Sequence, residues 1–261
     1  RSCRGGISGA ALGPGEPVHI LHTTVVGSYT SGLNAHHMNL GDFEGNAFAG
    51  HADYGVAIDA SQAHRLDTGS DYLGGSLGLP NGRPYVHVGG TVRQPGEFLE
   101  WEALNAPYLV DRYVPGYTWN LFVTEQTGLL LRPGVTIYFG SDSALYVDNA
   151  SLGALGSEGE PVVLTGLLEQ RGAWAGVSFS SSGAVLNHLE VHWAGKTTSI
   201  YNGSLVFSGV GDREPKYLNG VRVTGSGSCG INIVLEENLS LFEEFENISY
   251  DDNVEDYCEP S

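Results

Sequence analysis

The run Leu131-Arg132-Pro133-Gly134-Val135-Thr136-Ile137-Tyr138-Phe139 decides the fold. Pro133 fixes one φ and Gly134 frees the next, so the pair turns the chain sharply into a strand. Beyond it, Val135, Ile137 and Phe139 fall on one side of an extended segment, because strand side chains alternate. The same short alternation recurs downstream in Leu145-Tyr146-Val147, Val162-Val163-Leu164, Val177-Ser178-Phe179, Leu189-Glu190-Val191, Leu205-Val206-Phe207, Val221-Arg222-Val223 and Ile231-Asn232-Ile233. Short polar spacers of Gly, Asn, Asp or Ser separate the runs, which is strand-and-turn chemistry.

No amphipathic helix of about 10–15 residues stands between these runs, which removes βαβ architectures. Two all-β solutions remain. A sandwich or barrel needs hairpins, and Asn81-Gly82, Asn202-Gly203 and Asn219-Gly220 are the only such pairs that read as hairpin turns. Most other spacers do not fit two-residue hairpin loops. Very short strands joined by bends suit a solenoid, in which each strand stacks on the one below. Tyr54-Gly55-Val56-Ala57-Ile58 also echoes Cys229-Gly230-Ile231-Asn232-Ile233, as two successive modules would.

Composition agrees with a β-rich chain. Of 261 residues 38 are Gly, charged residues make up 16%, and Lys196 and Lys216 are the only lysines. Ordinary globular proteins carry about 7% Gly and about 25% charge, so this alphabet suits tight turns and not helical bundles. No apolar run approaches the ~20 residues of a membrane span. The net charge of −18 opposes nucleic acid and anionic membranes as partners. The sequence begins at Arg1 with no signal-like segment, and the reading is a mature exported chain. With export, Cys229 and Cys258 form the expected intrachain disulfide. Cys3 is then left over for a link between subunits. Three free thiols, or a bond that uses Cys3, are the alternatives.

Read in order, Pro107-Tyr108-Leu109-Val110, Leu131 through Ile137, Gly153-Ala154-Leu155-Gly156, Pro161-Val162-Val163-Leu164-Thr165-Gly166 and Gly172-Ala173-Trp174-Ala175-Gly176-Val177-Ser178-Phe179 resemble the right-handed parallel β-helix repeat proteins of bacterial surfaces and secretomes. The resemblance covers residues 105–195 closely and 205–258 more loosely, and it implies stacked parallel coils. It is nearly silent on function. The expected organisation is an irregular N-terminal arm (1–17), coils resembling the end of a preceding module (18–92), a connecting loop segment (93–128) and the main coils (129–261).

Parallel β-helices include pectin-cleaving lyases and glycosidases, whose chemistry needs clustered carboxylates and a basic residue or a pair of carboxylates. Asp142, Asp148, Arg132 and Arg171 supply the residue types of a Ca²⁺-dependent lyase, but no local motif joins them. His36-His37 with His51 and Asp53 offers metal-ligand chemistry, as do His188 and His192; polar surface histidines are the simpler reading. The segment Asp251 through Asp256 resembles a Ca²⁺ loop in composition but lacks the spacing of one. No GxSxG, Walker A, HExxH or GxGxxG stands in a strand–helix context. The expectation is therefore no catalytic residues and no cofactor, with Ca²⁺ the one candidate ion, and with enzymatic activity left open. Asn149, Asn202, Asn238 and Asn247 each open an Asn-x-Ser triplet and are candidate glycosylation sites.

Two functions follow as expectations. A β-helix has open ends, and stacking identical subunits head to tail would pair both, giving an extracellular filament or surface layer. The alternative is a surface protein that binds or cleaves polysaccharide through Tyr113, Tyr117, Trp119, Trp174 and Tyr201.

Overall fold

The structure is a computed structural model that describes residues 6–8, 16–111, 120–196, 202–209, 215–234, 239–240 and 242–258. It is a parallel β-solenoid of about 8 turns. Every pairing among the described strands is parallel, as each strand meets its equivalent one turn above and below.

Three faces build the main body. A long face runs the whole length through Ile7–Ser8, which lies within the expected irregular arm, then Leu33–Ala35, Val56–Asp59, Val86–Val92, Tyr108–Val110, Thr136–Phe139, Val162–Gly166, Leu189–His192, Arg222–Thr224 and Ser249–Asp251. A second face stacks Leu121–Thr124, Ala144–Asp148, Gly176–Ser180, Leu205–Phe207, Cys229–Ile233 and Glu255–Cys258. A third stacks Phe98–Trp101, Gly128–Leu131, Ser151–Leu155, Gly183–Asn187, Lys216–Asn219 and Phe242–Glu246. Val86–Val92 belongs to two faces. Its start pairs with Val56–Asp59 and Tyr108–Val110, and its end with Leu121–Thr124. The bend falls at Gly90, whose φ of 93° is left-handed backbone that a glycine adopts freely.

In-register stacking makes the core a set of vertical ladders. Leu145, Val177, Leu205 and Ile231 lie one above another, as do Val147, Phe179, Phe207 and Ile233. All eight are buried. Fully burying an aliphatic side chain stabilises by about 1.5–3 kcal/mol, so each rung is held by its neighbours rather than by an opposing sheet. Aromatic rings stack by the same logic. Phe179 and Phe207 have centroids 4.8 Å apart, and Phe43, Phe48 and Tyr72 form a second stack.

The first turns differ. Val18–Leu21 pairs only with Leu40–Glu44, and Thr24–Val26 only with Ala47–Ala49. The 3-10 helix Ala60–Arg65 packs against Leu40–Glu44, Val86–Val92 and Phe98–Trp101, and so interrupts the ladder there. Residues 93–128, expected as a connecting segment, contain three ladder strands, Phe98–Trp101, Tyr108–Val110 and Leu121–Thr124. The expected echo between 54–58 and 229–233 does not mark equivalent positions. Val56–Asp59 lies in the long face and Cys229–Ile233 in the second.

Candidate functional site

The long face presents two outward rows, because Ile137, Phe139, Leu164, Val191 and Val223 take the inward positions. One row carries Tyr138, Thr165, His192, Thr224 and Asp251 in register. The other carries Thr136, Val163, Glu190, Arg222 and Ser249. His192 Nε2 lies 3.0 Å from Glu190 Oε2, and an Arg222 guanidinium nitrogen lies 3.7 Å from Asp251 Oδ2. Beside this strip is a cleft of about 250 Å³ lined by Asn105, Pro107, Gly134, Thr136 and Tyr138, among others. The Tyr85 ring meets Tyr138 edge-on at 5.3 Å. The strip thus combines the Tyr138 phenol, a carboxylate–imidazole pair and a guanidinium beside an aromatic wall, while the Thr165 and Thr224 hydroxyls are buried. Such a set can hydrogen-bond the hydroxyls of a neutral polar ligand.

Higher on the same face, His87 is 3% exposed and packs against Tyr54 and His36. Its Nε2 donates to the Asp111 carbonyl at 2.8 Å. Burial pushes the His87 pKa down to about 4. Burial likewise pushes the Tyr54 hydroxyl up to about 12, against the opposing pull of Arg83, whose guanidinium donates to it at 2.7 Å.

The structure does not bring His36, His37, His51 and Asp53 together around one point. His36 Nδ1 is 3.0 Å from Asp59, and the His37 backbone N–H donates to the same carboxylate. Burial would raise the Asp59 pKa, but these two hydrogen bonds hold it below the ordinary value. His51 points elsewhere, its Nδ1 accepting from the Ser28 N–H at 3.0 Å, and burial lowers its pKa. Asp53 is paired with Arg83 at 3.1 Å. His188 stands in left-handed backbone at the one-residue bend directly before Leu189–His192, the strand that carries His192.

The four lyase-type residues are also dispersed. Arg132 is bonded to Glu100 at 2.8 Å, Arg171 pairs with Asp252, Asp142 pairs with Lys196, and Asp148 is exposed on the second face. The acidic segment near 251–256 is a turn of the solenoid. Asp251 and Asp252 face arginines, and the Asn253 side chain accepts from the Ser226 N–H at 2.8 Å. Trp174, expected as an exposed handle, is fully buried, stacks on Phe139 at 4.1 Å and donates to the His192 carbonyl. Of the glycines that flank it, Gly172 lies in a turn and Gly176 opens the strand Gly176–Ser180, both in left-handed backbone. Tyr113, Tyr117, Trp119, Tyr201, Cys3 and Asn238 lie outside the described residues.

Asn149, Asn202 and Asn247 are exposed. Cys229 and Cys258 stand at disulfide distance, with Cα atoms 5.8 Å apart. Among the described residues no helix is long and apolar enough to cross a membrane.

The two ends of the solenoid form a further surface. Phe242–Glu246, Ser249–Asp251 and Glu255–Cys258 close the three faces, and each pairs on one side only among the described strands. At the opposite end Ile7–Ser8, Val18–Leu21 and Thr24–Val26 do the same. Large apolar side chains are exposed at both ends: Leu21 (45%), Val26 (53%) and Tyr29 (82%) at one, Phe245 (42%) and Val254 (58%) at the other. No protein-family model, curated protein or solved structure matches the chain.

Proposed function

We propose that this is an exported structural protein whose copies stack head to tail into an extracellular filament or surface layer. The observation that carries the reading is the pair of open parallel edges, each dressed with exposed apolar side chains. An unpaired strand edge is a template for another strand, and joining opposite ends of identical subunits is a heterologous contact that propagates. Charge supports the match. Residues 242–258 hold seven Asp and Glu residues and neither Lys nor Arg, whereas residues 1–31 hold Arg1 and Arg4 against Glu16 alone. The cysteine pair and the resemblance to bacterial surface β-helix proteins support an extracellular setting.

Negative-stain electron microscopy beside size-exclusion chromatography with light scattering tests this directly. Regular fibres of one solenoid's width are expected. A strictly monomeric chain at high concentration overturns the assembly.

A second reading, binding or cleavage of a polysaccharide, is favoured by the strip on the long face and its cleft at Tyr138. It expects titration with neutral oligosaccharides to give saturable binding that Tyr138→Ala and Arg222→Ala both weaken by tenfold or more. Binding that both variants leave unchanged removes that strip from consideration.

A further inference from the structure

The last turn holds a group of side chains that a disulfide alone does not explain. Cys229 Sγ, Cys258 Sγ and a Glu255 carboxylate oxygen all lie within 4.8 Å of one another. The Glu255 oxygen is 3.0 Å from Cys258 Sγ. A sulfur bonded to another sulfur has no hydrogen to donate, so this carboxylate gains nothing from the oxidised pair. It is exposed and free to turn toward water, yet it is directed at the sulfur.

The same three atoms make sense around a cation. Zinc binds thiolates at ~2.3 Å and carboxylates at ~2.0–2.2 Å in tetrahedral sites, which places ligand atoms roughly 3.5–4 Å apart. Two sulfurs released from their bond need to separate only by that much, with Glu255 already beside one of them. Cys229 is 7% exposed while Glu255 is open to solvent, so the fourth position faces water. Residues 242–258 hold no Lys or Arg, and the arginines that reach this turn, Arg171 and Arg222, pair with Asp252 and Asp251 and not with Glu255.

We infer that, on reduction, Cys229, Cys258 and Glu255 form a three-ligand site for a thiophilic divalent cation, zinc being the ion that fits. The staple at this end of the solenoid is then interchangeable: a covalent bond under oxidising conditions and a metal under reducing ones. The step balances with a dithiol as reductant. Its two thiols give up two electrons and two protons, the Cys229–Cys258 bond breaks to two thiols, and the reductant leaves as its own disulfide. The cation then displaces one proton from each thiol, so two protons are released per ion bound.

The test uses the full chain carrying Cys3→Ser, so that a single cysteine pair responds. The protein is reduced, freed of reductant and titrated with Co²⁺ as a coloured stand-in for zinc. One ion per chain is expected, with a thiolate-to-cobalt charge-transfer absorption that Zn²⁺ abolishes. Cys258→Ser removes that absorption. Glu255→Gln, at an exposed position that leaves the far-ultraviolet circular dichroism unchanged, retains it but weakens binding by tenfold or more. No charge-transfer absorption in the reduced protein overturns the site. Unchanged affinity in Glu255→Gln overturns the role of the carboxylate and with it the three-ligand geometry.

Discussion

The imidazole of His87 projects outward from the long face, yet Tyr54 and His36 cover it. An ordinary histidine takes up its proton near pH 6.5, whereas this one waits until about pH 4. The unfolded chain therefore binds a proton across that window that the folded chain refuses. Stability is full above pH 6.5 and is lost as pH falls toward 4, by up to about 3 kcal/mol. Denaturant midpoints measured at pH 7.5 and 4.5 check this. The difference between them shrinks in His87→Gln, which has no such proton to take up. Single residues were the hardest part to read from sequence. Lys216 opens a strand and is fully buried, with Nζ donating to the Ser182 carbonyl at 2.9 Å. Trp174 reads as an exposed ring and is stacked inside. In both cases the partner belongs to a neighbouring segment or turn, so nothing local in the sequence announces it.

Strands were legible where alternation was clean. Thr136–Phe139, Ala144–Asp148 and Gly176–Ser180 follow the apolar pattern that predicts them. Tyr108–Val110 is buried at all three positions, so it shows no alternation, and Gly89-Gly90 breaks the apolar pattern within Val86–Val92. The turns also vary in length. His36 meets Asp59 at a separation of 23 residues, whereas Arg93 meets Glu125 at 32. Without a fixed period, side chains one turn apart cannot be paired by counting, which hid every cross-turn contact of the candidate surfaces. Glycine placement is where an element can be broken selectively. Gly176 opens its strand at φ 108°, and a Cβ there would lie 2.6 Å from the Gly203 carbonyl oxygen. Gly176→Ala is expected to destabilise by roughly 1–3 kcal/mol, through strain in a backbone region that other residues rarely occupy. Gly159 has open space around its missing Cβ, and Gly159→Ala is expected to stay within about 0.5 kcal/mol. Equal effects in thermal melts of the two variants would show that the strand start tolerates a side chain.

At the scale of the whole molecule, the solenoid was predictable and its ends only partly so. Short runs and missing helices imply stacking, but which side chains remain exposed on the terminal turns depends on the packing of the turns beneath. If those turns mediate assembly, the two ends are different surfaces and can be blocked separately. Val26→Lys places a charge on one end and Val254→Lys on the other, both at exposed positions. Each variant alone is expected to remain monomeric. Mixed in equal amounts they join through their intact ends and stop at dimers, which light scattering resolves. Fibres from either variant alone would move the contact away from the terminal turns.

The bridge between Cys229 and Cys258 also gives the molecule a direction under tension. A solenoid pulled by its two ends unspools one turn at a time, since each turn is held only by those beside it. At the bridged end the load passes from Cys258 straight to Cys229, and the chain between them bears none of it. At the other end Thr24–Val26 is held by a single parallel neighbour with no covalent bypass among the described residues. Unravelling therefore starts at the N-terminal turns and consumes the molecule toward the bridge. The bridged loop stays folded out of the measured extension until a reductant releases it.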